Sequence, residues 1–319
     1  MYIVVEIITL ILGFAMLIKC ADLFVDCLSS IAINFNMPKM AIALTIAAFG
    51  TCTPELAISF QSMSTNNGSM AISNILGSNV INILLIIGIA CTFYPVKIKS
   101  ETIKKEVPYL IAITTIFGFQ LINNIYFAKD NIVLTRVNGI LLLIVFALFI
   151  KYIINLVKSS HNSYIKEKPK YSLVSSIILS IFCIVGIIYG SNIVVELATY
   201  IARSLNISEK LITMTIIVIG TSLPEMVMTV ISAKKKEFDM SIGNIIGTNI
   251  FNIGVVLGLP ITIFGQISSV DFSLVDVIAL LVAAYTLYIF AKSDRKITKR
   301  EGICMICLFL VYYVYLFLQ

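Results

Sequence analysis

Charge is scarce in this chain. Only 13 % of its 319 residues are Asp, Glu, Lys or Arg, while 59 % are hydrophobic. A soluble domain carries roughly 25 % charged residues, so a soluble module is excluded. Histidine occurs once, as His161, in a polar stretch that reads as solvated loop. No nucleophile–base pair or His/Cys/Asp constellation is apparent, so the chain is not read as an enzyme. The seven cysteines are Cys20, Cys27, Cys52, Cys91, Cys183, Cys304 and Cys307, an odd and scattered set. Structural disulfides are therefore not expected. Cys304 and Cys307 share a helical face with no histidine nearby, and read as small apolar residues rather than a metal pair. No basic residue precedes the first apolar run, Tyr2 to Ile18, and no small-residue cleavage site follows it. That run is expected to be a retained first helix.

What the chain has instead is apolar sequence long enough to cross a bilayer, again and again. A spanning helix needs about 20 apolar residues. Ten spans are expected, at 2–32, 39–63, 70–93, 107–123, 132–156, 172–204, 209–233, 239–264, 273–291 and 301–318. The first and sixth exceed the bilayer and are expected to tilt or protrude. The expected fold is thus an all-α polytopic membrane protein with the lipid bilayer as its main partner. The net charge of +6 lies at helix ends, so no nucleic acid is expected to bind. No cofactor and no obligatory protein partner are indicated.

The basic residues are segregated. Eighteen Lys and Arg fall in connections 1, 3, 5, 7 and 9, and four in connections 2, 4, 6 and 8. Cytoplasmic loops collect Lys and Arg. The odd connections are therefore expected to face the cytoplasm of a cell (inner) membrane, with both termini extracellular.

The chain is also duplicated. Gly50-Thr51-Cys52-Thr53-Pro54-Glu55 returns 170 residues later as Gly220-Thr221-Ser222-Leu223-Pro224-Glu225. The same offset carries Asn74-Ile75-Leu76-Gly77-Ser78-Asn79-Val80-Ile81-Asn82 onto Asn244-Ile245-Ile246-Gly247-Thr248-Asn249-Ile250-Phe251-Asn252. It also relates Asp22 to Asn192, Asp26 to Glu196, Thr45 to Thr215 and Gly88 to Gly258. Five spans per half is an odd number, so the second half must enter the membrane upside down. Two inverted-topology repeats are expected, an architecture of many secondary transporters. The first covers 1–157 with its motif at 45–82. A basic cytoplasmic linker covers 158–171. The second repeat covers 172–319 with its motif at 215–252.

Each motif carries one glutamate inside an apolar helix. A carboxylate at membrane depth is unfavourable and marks a functional site by default. Pro54 and Pro224 remove a backbone donor and crowd the carbonyls of Gly50 and Gly220. Each helix is expected to kink there and release carbonyls, which a bound cation would satisfy. Thr51 and Glu55 share a helical face, as do Thr221 and Glu225. Asn74, Ser78 and Asn82 form a polar stripe at every fourth residue, repeated by Asn244, Thr248 and Asn252. Hydrogen bonding between helices is the competing role for such residues, above all for Asn74 and Asn244. Asn79 and Asn249 lie off the stripe and either cap broken backbone or meet an ion. Asp22, Asp26 and Glu196 either line an access pathway or sit near an aqueous edge.

All these donors are oxygens. Without thiolate or imidazole clusters, zinc and copper are poor matches. Ca2+ takes six to eight oxygens in flexible geometry, and two carboxylates neutralise it. Na+ is a hard ion of similar size, and competition for one glutamate pair is a physical basis for exchange. Mg2+ demands a tighter octahedron and fits less well.

At these motifs the chain resembles the sodium/calcium exchanger family, in its small prokaryotic form within the cation/Ca2+ exchanger superfamily. The resemblance covers nearly the whole chain. It implies ten helices, with spans 2, 3, 7 and 8 as the ion-binding core and spans 1 and 6 sliding across it. It implies Ca2+ ligation by Glu55 and Glu225 with the carbonyls of Thr51 and Thr221. Flanking Na+ sites would use Thr51, Ser78 and the Ala48 carbonyl on one side, and Thr221, Thr248 and the Val218 carbonyl on the other. Asn82 and Asn252 would complete the centre. The implied function is an electrogenic Na+/Ca2+ antiport by alternating access, with Na+ entering and Ca2+ leaving. Cys52 stands where the family usually has serine, and Asn252 where some members, including K+-carrying exchangers, have aspartate. The asparagine argues against K+ cotransport. A Ca2+/H+ exchanger of the same superfamily is the nearest alternative, because both glutamates can carry protons. A passive cation channel is a distant one, since channels place polar rings on a symmetric pore axis.

Overall fold

The computed structural model describes residues 2–65, 68–127, 134–160, 168–205, 218–267 and 273–318. His161, Lys129, Lys210, Thr215 and the first part of the seventh expected span, 209–217, lie outside them. Helices dominate because the apolar runs leave their backbone groups no other partner at membrane depth. They are α1 (Tyr2–Asn34), α2 (Lys39–Thr51), α3 (Thr53–Ser64), α4 (Gly68–Phe93), α5 (Ser100–Lys104), α6 (Glu106–Phe127), α7 (Arg136–Ser160) and α8 (Leu173–Ser204). After the gap come α9 (Val218–Thr221), α10 (Leu223–Lys234), α11 (Phe238–Phe264), α12 (Leu274–Asp294) and α13 (Lys299–Leu318). Among the described residues, eight helices are long and apolar enough to cross a membrane, and α2 with α3 forms a ninth candidate bent by 51°. One small antiparallel pair joins β1 (Val96–Lys97) to β2 (Lys296–Ile297).

Burial sorts the helices. The most apolar windows of α4 and α11 are 83 % buried inside the protein, whereas those of α1, α8 and α13 are 28 % buried. So α4 and α11 form the centre and α1, α8 and α13 turn large apolar side chains outward, such as Leu12, Phe182 and Val311. The two central helices pack closely on outer ones through paired glycines. A Cβ on Gly88 would stand 2.9 Å from the Gly302 carbonyl, and one on Gly139 would stand 2.8 Å from the Gly258 carbonyl. Gly88 and Gly258 are the repeat-related pair. Each half therefore lays its third expected span against the fifth of the other.

The connections gather into two groups. Lys39 pairs with Glu237 at 2.8 Å, and Lys99 with Asp239 at 2.5 Å. The β1–β2 pair ties connection 3 to connection 9. Thus odd connections touch odd ones. Leu134, just before α7, bridges Ile267, just after α11.

One further repeat-related feature lies at the span edges. Glu106 opens α6 and accepts a hydrogen bond from the Tyr152 hydroxyl of α7. Asp276, 170 residues later, lies in the first turn of α12 and accepts from the Tyr312 hydroxyl of α13 at 2.8 Å. Asp276 also closes a capping box with Ser273, which starts the helix cleanly. A hydrogen bond to a charged group contributes about 1.5–3 kcal/mol. Tyr312→Phe is expected to destabilise the protein by about that amount, read as a lower Tm in detergent. An unchanged Tm would remove the clamp from the account.

Candidate ion-binding site

Both proline-containing motifs break their helices at the same place. The first helix stops at Thr51, passes through Cys52 at φ −76° and ψ 2°, and resumes with Pro54 in the first turn of α3. The second stops at Thr221, passes through Ser222 at φ −90° and ψ 8°, and resumes with Pro224 in the first turn of α10. Each glutamate thereby falls in the first turn of the resumed helix, where free backbone N–H groups favour negative charge. Glu55 is 1 % exposed and Glu225 is fully buried. The two carboxylates are near enough to act on each other electrostatically, and the Thr51 side chain lies beside Glu225.

The carbonyls expected to be freed do not wait for an ion. Gly50 O accepts from the Thr53 hydroxyl at 3.1 Å, and Gly220 O accepts from the Ser191 hydroxyl of α8 at 3.0 Å. A hydroxyl within reach satisfies a carbonyl as well as a cation does. Ala48 O accepts from the Cys52 amide at 3.0 Å and from the Thr51 hydroxyl at 3.3 Å. Val218 and Thr221 bound the single turn of α9, with Thr221 half-buried.

Other oxygens are buried and have no hydrogen-bond partner among the described residues. They include Oε2 of Glu55, both carboxylate oxygens of Glu225, the hydroxyls of Ser78, Thr248 and Ser222, and Oδ1 of Asn82 and Asn252. An unpaired buried polar group is destabilising by about 1–3 kcal/mol, more when charged. A cluster rich in such atoms therefore favours a ligand that accepts lone pairs, which is a hard cation. Among the described residues no three His, Cys, Asp or Glu side chains converge.

The asparagines tie the halves together. Asn252 Nδ2 donates to Asn79 Oδ1 at 3.1 Å, and Asn79 Nδ2 donates to the Asn249 carbonyl, 170 residues away, at 3.4 Å. Asn249 Nδ2 turns back on Ile245 O at 2.7 Å. Asn79 thus bridges the helices, while the Oδ1 of Asn249 is buried without a partner among the described residues. Asn244 donates to the Thr229 hydroxyl at 3.2 Å, which is the interhelical role. The matching groups of the first half, Asn74 Nδ2 and the Ser59 hydroxyl, have no partner among the described residues. Cys52 is fully buried, and its thiol faces Thr248 O at 3.9 Å, so it ties α2 to α11.

Three features escape a reading by period alone. The helix loosens to π geometry at Ala43–Ala47, Ile81–Ile86 and Asn252–Leu257. The last two contain Asn82 and Asn252. Such bulges cluster at functional sites because they re-aim a side chain within a helix.

The acidic residues of the outer helices stay apart from this centre. Asp26 is held by Lys235 at 2.6 Å and by Lys170 at 2.6 Å, and Asp22 by Lys235 at 3.1 Å. Those lysines belong to odd connections, which places Asp22 and Asp26 at an aqueous edge. The Asp26 carboxylate raises the Lys170 ammonium above its usual range. Glu196 is exposed on α8.

Two buried glutamates, one from each motif and near enough to act on each other, are in a helical membrane protein the arrangement expected of a cation carrier. More narrowly, the sequence profile of the sodium/calcium exchanger protein family matches residues 5–155 and 175–318, and the chain belongs to that family of antiporters. CaxA of Alkalimonas amylolytica is 34 % identical to it over 317 residues, spanning 96 % of both chains. The sodium/calcium exchanger MaX1 of Methanosarcina acetivorans is 27 % identical, spanning 99 % of both. A solved structure of the sodium-calcium exchanger NCX_Mj, soaked with neither Na+ nor Ca2+, superposes with a TM-score of 0.81 at 29 % identity, over 97 % of this chain and 98 % of that one. The protein is an integral membrane protein and a transporter by family, rather than an enzyme.

Proposed function

We propose that the protein exchanges Na+ for Ca2+ across the cell membrane by alternating access, without K+ cotransport. The observation that carries this reading is the pair of buried carboxylates, one from each motif, with unpartnered oxygens on both. Ca2+ bound between Glu55 and Glu225 is neutralised by them. The backbone and side-chain oxygens of Thr51 and Thr221, with Asn82 and Asn252, complete its shell. Na+ competes for the same charge. Thr51, Ser78 and the Ala48 carbonyl on one side, and Thr221, Thr248 and the Val218 carbonyl on the other, hold additional Na+. More positive charge then moves with Na+ than with Ca2+, and the cycle is electrogenic. Asn252 supplies a neutral amide where a third carboxylate would favour a further cation.

The proposed architecture is ten spans in two inverted five-span repeats, with the odd connections cytoplasmic and both termini outside. The 170-residue offset and the odd-with-odd contacts of the connections support it.

The competing reading is Ca2+/H+ exchange, since each carboxylate can carry a proton. Uptake of 45Ca2+ into proteoliposomes decides between them. With internal Na+ and no pH gradient, uptake is expected to be rapid and to respond to membrane potential. With internal K+ and a pH gradient, it is expected to fall to the level of empty vesicles. Uptake driven by the pH gradient alone would replace Na+ by H+ as the coupling ion.

A further inference from the structure

We infer that the groove between α6 and α7 binds one molecule of anionic phospholipid, with its phosphate at Lys104 and Lys105. The groove is a cavity of about 560 Å³ that opens outward where α6 begins and α7 ends. Its lining changes character in a fixed order along both helices. Lys104 and Lys105 stand at its rim with Ser159. Tyr109 and Asn155 come next, and Ala112 lies deeper, two turns into the span. From Glu106, where α6 begins, to Ala112 is about 9 Å at 1.5 Å per residue. That sequence of cation, hydroxyl or amide, and hydrocarbon is the sequence of phosphate, glycerol ester and acyl chain in a phospholipid.

The charge is available for such a partner. Lys39, Lys99, Lys170 and Lys235 are each held by a carboxylate. Lys104 and Lys105 have no ion-pair partner among the described residues. Neither nearby acid lines the cavity. Glu106 is 2 % exposed and takes the Tyr152 hydroxyl, so Tyr152 offers the groove its ring. Glu101 acts on Tyr152 from α5 but does not line the cavity. The Tyr109 and Tyr152 rings lie 5.2 Å apart between centroids, tilted by 33°, and give the groove an aromatic wall of the kind found at interfacial depth. Basic pockets between membrane helices hold anionic headgroups, each lysine contributing about 1 kcal/mol.

Native mass spectrometry of the full chain in detergent tests this, titrating phosphatidylglycerol against phosphatidylcholine. One phosphatidylglycerol is expected to bind in preference to phosphatidylcholine. The double variant Lys104→Gln/Lys105→Gln is expected to weaken that adduct about thirtyfold. Lys292→Gln/Lys299→Gln, an equal loss of charge elsewhere, is expected to leave it unchanged. Ala112→Trp fills the apolar end and is expected to weaken the adduct while both lysines remain. Equal binding of the two lipids, or equal loss in both lysine variants, would overturn the assignment. Displacement of the lipid by inorganic phosphate with no effect of Ala112→Trp would make this a site for free anions instead. None of these readouts depends on which ion is transported.

Discussion

Glu225→Gln is expected to abolish Ca2+ exchange while leaving the protein folded. Glutamine matches glutamate in shape, so packing around α10 is retained. What goes is one of the two charges that would face a divalent cation at a buried site. Removing one partner of a buried charge pair typically costs 2–5 kcal/mol, which is roughly 30- to several-thousand-fold in affinity. Glu55→Gln is expected to do the same. Stability separates this from damage to the fold. Both oxygens of Glu225 are buried without partners, so neutralising the group relieves an uncompensated charge. The ion-free variant is therefore expected to be at least as stable as the parent. Ca2+ stabilises whatever state binds it, so the parent gains Tm with added Ca2+. The variant is expected to lose that gain. A Ca2+-dependent rise in Tm that survives in Glu225→Gln would take the carboxylate out of the site.

Gly247→Val is expected to prevent folding rather than impair transport selectively. Gly247 lies in the middle of α11, where that helix crosses α2. A Cβ there would stand 2.8 Å from Leu44 Cα, 2.9 Å from the Ala48 Cβ and 2.9 Å from the Leu44 carbonyl. Two of those three neighbours are backbone and cannot rotate away. Small residues at membrane helix crossings exist to permit such an approach. Overpacking typically costs 1–3 kcal/mol, and more when backbone must move. The loss is expected as a collapse of monodisperse yield from the membrane. Gly265→Val is the comparison, because nothing stands closer to its Cβ than 3.5 Å although its φ of 110° strains any side chain. Equal yields of the two variants would mean that helix crossing at Gly247 does not set the packing.

Much of the centre was legible because the chain states it twice. Proline after Gly-Thr forecast the two breaks, and Cys52 and Ser222 adopt nearly the same φ and ψ. Carboxylates in apolar sequence forecast burial, and both are buried. The fate of individual carbonyls was not legible. Gly220 O is met by Ser191, whose repeat counterpart is Ala21, so comparison of the halves hides the contact. Asn244 and Asn74 likewise match in sequence but differ in partners, since only Asn244 donates to its threonine, Thr229, while Asn74 Nδ2 and the Ser59 hydroxyl stay unpartnered among the described residues. The π stretches have no signature in a hydrophobic period, because packing against neighbouring helices sets them. Glu106 and Asp276 did carry a signal, the same 170-residue offset, at span edges where a carboxylate draws less notice. Asp26 required the third dimension: its two lysines come from far along the chain.

The most direct measurement is an anomalous difference map from crystals grown with Ca2+. The account predicts one principal peak between the carboxylates of Glu55 and Glu225, about 2.3–2.6 Å from oxygens of both. A principal peak held by one carboxylate alone, or lying at Asp22 and Asp26, would contradict it.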